Sequence, residues 1–112
     1  MTDKQRKICE ELDWEVHDCG DGRVELEKYS PAGEDYSFCI DCTDVAAEVR
    51  GHWRDFDPEE HIMDMVVAKR NGLAGVPDIK TLCHDADSIE EMIAELAEAL
   101  EEAEQEGDVD GA

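Results

Sequence analysis

Apolar and polar residues alternate with a period of two in three short stretches of this chain: Trp14-Glu15-Val16-His17, Arg23-Val24-Glu25-Leu26-Glu27 and Tyr36-Ser37-Phe38-Cys39-Ile40-Asp41. That is the period of a half-buried β-strand. Between the first two, Gly20-Asp21-Gly22 suits a tight hairpin because glycine reaches positive φ without steric cost, and residues 30–35 suit a longer connection. An antiparallel meander is the simplest product. Its Trp14, Val16, Val24, Leu26, Phe38 and Ile40 would face a helical layer, leaving Glu15, His17, Glu25, Glu27, Ser37, Cys39 and Asp41 in water.

Elsewhere the period is helical. Ile8, Cys9 and Leu12 mark one side of a short helix over residues 4–12, and Val45, Val49, Trp53 and Phe56 form a stripe that ends near Asp55 or Phe56. Asp57-Pro58-Glu59-Glu60 reads as the next helix start: Asp57 is the N-cap, Pro58 sits where its missing N–H costs nothing, and Glu60 is placed to complete a capping box. That helix should run to about Asn71 with Gly72 as its cap, burying Ile62, Met65, Val66 and Met63. After the Gly72–Pro77 loop, Pro77-Asp78 opens a short segment carrying Ile79, Leu82 and Cys83, and Ser88 with Glu91 predicts a fresh start for the last helix. In it Ile89, Ile93, Leu96, Leu100 and Ala103 make a heptad-like seam of about two repeats, short of the three or four that specify a coiled coil. Packing inside the domain is the first use of such a seam, and homodimerisation through the C-terminal helix the second.

The expected fold is therefore a single α+β domain over residues 1–105. It has a short N-terminal helix, a three-stranded antiparallel meander and then three to four helices packed on one sheet face. An acidic tail over 106–112 is expected to be disordered. A chain of 112 residues supports one core and no second one. The order helix, three strands, helix resembles the topology of double-stranded-RNA-binding domains, a function that the charge forbids here.

Charge changes the picture most. Against 32 Asp and Glu stand only 10 Lys and Arg, a formal net charge of −22. Residues 81–112 hold 12 of the acids and no Lys or Arg. Direct binding to nucleic acid or anionic lipid is excluded, since both need a cationic surface. A cationic protein becomes the expected partner. No apolar stretch approaches the ~18 residues of a membrane span, and the start, Met1 to Lys7, lacks the apolar run of a signal peptide. The cytosol is the expected location. The five cysteines, an odd number at irregular spacing, are expected to stay reduced thiols.

Candidate chemistry is sparse. Cys39-Ile40-Asp41-Cys42 has the spacing of a zinc or redox pair, but its best complement, Cys83-His84, is adjacent in sequence and chelates poorly from a helix, and on a strand Cys39 and Cys42 point to opposite faces. Residues 55–66 lack the glycine and the final acid of a calcium loop. His61 and Asp64 read as a solvated pair on a helix surface, and neither Gly-rich segment has phosphate-cradle spacing. No catalytic, cofactor-binding or metal residue is assigned, and the chain is read as a non-enzyme. What remains is arrayed carboxylates: Glu15, Glu25, Glu27 and Asp41 on the open sheet face, and Glu91, Glu95 and Glu98 on the last helix. Acids held on a rigid frame imitate duplex DNA, which carries one negative charge per ~1.7 Å of axis.

The segments Phe56-Asp57-Pro58-Glu59-Glu60-His61, Arg70-Asn71-Gly72, Gly75-Val76-Pro77 and Asp85-Ala86-Asp87, with Leu12-Asp13-Trp14-Glu15-Val16 and Leu26-Glu27-Lys28-Tyr29-Ser30-Pro31 before them, resemble a family of small acidic proteins encoded by anaerobic gut bacteria and their prophages. That resemblance covers most of the chain and implies a mobile-element setting, in which acidic proteins of this size block host defence as anti-CRISPR or anti-restriction mimics. It implies a cationic, nucleic-acid-binding nuclease as partner. An antitoxin-like or scaffold role for the last helix is one alternative, and a small metal-binding module or enzyme the other.

Overall fold

The structure, a computed structural model, describes the backbone of residues 1–110 and the side chains of residues 1–105. The element order is α1 (Asp3–Glu11), β1 (Glu15–Gly20), β2 (Arg23–Tyr29), β3 (Asp35–Asp41), α2 (Val45–Asp55), α3 (Pro58–Arg70) and α4 (Ile79–Asp110). This is the expected α+β arrangement, with the strands in the order β1-β2-β3 and both pairings antiparallel. The tail expected over 106–112 lies outside the described side chains and, at 111–112, outside the described residues.

Local chemistry explains most boundaries. Thr2 and Gln5 form a reciprocal capping box at the start of α1. Asp21 (φ 54°) and Gly22 (φ 74°) make the two-residue hairpin, both in the left-handed region that such turns need. Asp57 caps α3 by accepting from the Glu59 N–H, without the expected answering bond from Glu60. At the far end Leu73 N–H donates to Ala68 C=O and Gly72 N–H to Lys69 C=O, a Schellman closure with Gly72 at φ 92°.

Other expectations need correction. Ser88 does not start a helix: α4 runs unbroken from Ile79, capped by Asp78, which accepts from the Thr81 N–H at 2.9 Å. Ser88 turns its hydroxyl back to the His84 carbonyl at 3.1 Å, the bond a mid-helix serine makes. Burial of Leu82, Asp85 and Ala86 in line with Ile89 carries the helix through. The second correction concerns α3, which has no fully buried side chain: Ile62, Met65 and Val66 are half-buried, and Met63 is exposed.

The sheet's dry face carries Trp14, Val24, Leu26, Phe38 and Ile40 into one cluster with Val45, Ala46 and Val49 of α2 and the α4 seam. Val16, expected there too, is only half-buried. Ile89, Ile93, Leu96 and Leu100 are at most 1% exposed, so these residues of the seam pack within the chain's own core. A buried polar clamp fastens the β2–β3 connection to α4. The Ser30 hydroxyl donates to Asp85 Oδ2 at 2.6 Å and the Ala32 N–H to Asp85 Oδ1 at 3.0 Å.

Candidate functional site

The side chains on the wet face are assembled by register. Glu15 stands opposite Glu27, His17 opposite Glu25, Glu25 opposite Cys39, Glu27 opposite Ser37 and Arg23 opposite Asp41. Because strand residues two apart share a face, Glu15, His17, Arg23, Glu25, Glu27, Asp35, Ser37, Cys39 and Asp41 all project away from the core. The four sheet carboxylates named from the sequence therefore do share one surface. Arg23 adds a cation that the alternation alone did not bring forward.

Those carboxylates differ in their surroundings. Asp41 accepts from the Thr43 hydroxyl at 2.6 Å and the Thr43 N–H at 2.8 Å, and these bonds hold its carboxyl below the usual range. Glu27 lies 3.0 Å from His17 Nε2, and Glu15 lies 3.5 Å from the same nitrogen. The Glu27 carboxyl is nevertheless pushed up, chiefly by a hydrogen bond to the like-charged Asp35 group, whose effect outweighs the lowering by His17. Glu91, Glu95 and Glu98 are exposed on α4, on the side turned away from the core. The core thus separates the two acidic sets: one covers the outer face of the sheet, the other the outer side of α4.

A second polar cluster joins β3 to the helices at the other edge of the sheet. Tyr36 Oη and His52 Nε2 are 2.6 Å apart, the His52 ring stacks on Phe38 at 4.0 Å, and His61 Nε2 lies 2.9 Å from Glu34 Oε2. Tyr36, His52, Phe56 and His61 wall an open pocket of about 210 Å³, with Asp55, Asp57, Glu60 and Asp64 completing its lining. Burial pushes the Tyr36 hydroxyl up to about 12 and lowers the His52 imidazole. His61 thus faces Glu34, and not Asp64 alone as its helix spacing implied. Glu34, Tyr36 and His52 carry no local signal, since their partners stand 16 or 27 residues away.

The thiols are dispersed. Cys39 and Cys83 are exposed, Cys42 is half-buried, and Cys9 is fully buried, its thiol pushed up to about 11 by that burial. Cys19 sits at the irregularity of β1 between Asp18 and Gly20, with its thiol raised first by desolvation and next by Cys39 across the face.

No protein-family model, curated protein or solved structure matches the chain. The surfaces above are what define it: an acidic sheet face, an acidic helix side and a histidine-rich edge. No helix is long and apolar enough to cross a membrane among the described residues.

His17 of β1 and His52 of α2 should titrate on opposite sides of the ordinary value of 6.5, with His17 above it, raised by its bond to Glu27, and His52 below it, lowered by burial. The linkage signs follow. The stability His17 contributes is complete below about 6.5 and is lost as pH rises through its folded value, whereas that of His52 is present above 6.5 and is lost as pH falls. Ring-nitrogen NMR over pH 5 to 8.5 reads both, and the reverse order would refute both assignments.

Proposed function

We propose that this protein is a non-enzymatic interaction protein that lays its acidic sheet face on a cationic, nucleic-acid-binding host protein. It would act as an inhibitor of the anti-CRISPR or DNA-mimic kind carried by phage and other mobile elements, working in the bacterial cytosol. The observation that carries the reading is the joining, on one register-held face, of Glu15, Glu25, Glu27 and Asp41 within a chain of net charge −22. Residues two apart on a strand are separated by ~6.7 Å, and neighbouring strands by ~4.8 Å, so the face holds its carboxylates in a fixed array. A flexible acidic tail lacks that property. Because the sheet is stiff, little conformational entropy is lost on docking. Glu91, Glu95 and Glu98 form a second patch that a single flat partner surface would not reach together with the first.

The test is a pull-down from host lysate at low salt followed by a salt gradient. One cationic nuclease should elute, and its binding should weaken by at least about tenfold in the triple variant Glu15→Gln, Glu25→Gln, Asp41→Asn, mostly through slower association. Asparagine at 41 keeps an oxygen for Thr43, and all three positions are on the surface, so folding is preserved. The matching variant at Glu91, Glu95 and Glu98 should bind the same partner less than about threefold more weakly. A triple sheet variant that binds like the parent overturns the reading.

A further inference from the structure

We infer that Glu15, His17 and Glu27 form a binding site for one divalent transition-metal ion, of the zinc class, on the wet face of the sheet. The three residues come from two strands and are brought together by register: Glu15 and His17 are two apart on β1, and Glu27 stands opposite Glu15 on β2. One ligand atom from each lies within 4.8 Å of the other two. The individual separations from His17 Nε2 are 3.0 Å to Glu27 and 3.5 Å to Glu15. An ion bound at ~2.1 Å by nitrogen and oxygen ligands has its ligands about 3.0 Å apart in an octahedron and about 3.4 Å apart in a tetrahedron. The two His17 distances lie in the range of such edges, and an ion would replace the present His17–Glu27 hydrogen bond.

The imidazole is what separates this group from the acids that cover the rest of the surface. A carboxylate cluster alone collects hard cations loosely through oxygen, whereas a neutral imidazole nitrogen beside two carboxylates selects zinc, cobalt or nickel over magnesium and calcium. Strand geometry sets the ligand directions, so little ordering is needed on binding. Open coordination positions point to solvent, because Glu15 and His17 are exposed. The inference stands apart from the partner reading, since it concerns the ion and this chain alone.

Titration of the full chain with ZnCl₂ under a phosphine reductant, followed by calorimetry and by the His17 ring resonances, tests it. One saturable equivalent is expected, with the His17 signals shifting in step and the affinity falling toward pH 5.5 as protons compete for Nε2. His17→Gln and Glu27→Gln should each weaken binding at least tenfold. The double change Cys19→Ser, Cys39→Ser should leave it within about twofold, which separates the site from the nearby thiols. Co²⁺ should bind without thiolate charge-transfer absorption. Zinc uptake that is unsaturable, that is equal in the His17→Gln variant, or that disappears with the two cysteines overturns the inference.

Discussion

Leu96→Ala is expected to reduce the unfolding free energy by about 3–5 kcal/mol, the largest loss of any single change considered for this chain. Leu96 has no exposed surface and stands in the middle of the α4 seam, in the same cluster as Trp14, Leu26 and Phe38. Truncation removes its transfer free energy and opens a cavity between the sheet and the helical layer that neither can close without moving a whole element. Domains of this size hold about 5–15 kcal/mol in total, so the variant should unfold at a much lower urea midpoint. The measurement also separates two uses of the seam. Inside one chain the loss is independent of protein concentration, whereas a seam that joins copies would give a midpoint that rises with concentration. A loss under about 1 kcal/mol would mean that the core does not depend on α4.

Asp85→Ala is expected to cost about 2–4 kcal/mol, although it removes only a few atoms. Asp85 is 5% exposed and accepts from both the Ser30 hydroxyl and the Ala32 N–H. Without it two donors near the core lose their acceptor, and bonds to a charged group are worth more than neutral ones. Asp85→Asn keeps one acceptor oxygen, so a smaller loss of about 1–2 kcal/mol is expected. Because the clamped turn leads directly into Glu34, Asp35 and Tyr36, the Ala variant should also broaden the His61 and His52 resonances before global unfolding. A loss under about 1 kcal/mol in the Ala variant would show that the carboxylate's bonds to the turn contribute little.

How much of this was legible beforehand depended on the range of the interaction. The strands were readable because period-two alternation reports a wet and a dry face directly, and the helix over 45–55 because Val45 and Val49 recur at helical spacing. The start at Ser88 misled because a capping box is a local pattern, and a local pattern yields when neighbouring turns on both sides are buried against the same core. Leu82, Ala86 and Ile89 continue the seam's spacing of four and three, a signal that outranked the serine. On α3 the apolar residues promised a buried face, yet the layer covers it only in part.

By itself the amino-acid sequence determined most of the elements, the sheet's two faces and the net charge. Those properties follow from neighbours within a few residues and from simple counting. The tertiary structure decided which side chains meet: His17 with Glu15 and Glu27, His61 with Glu34, Tyr36 with His52, and Ser30 with Asp85. Such meetings depend on strand register and on how α2, α3 and α4 settle against the sheet. That settling is a compromise among all the buried contacts at once, and no single segment carries it.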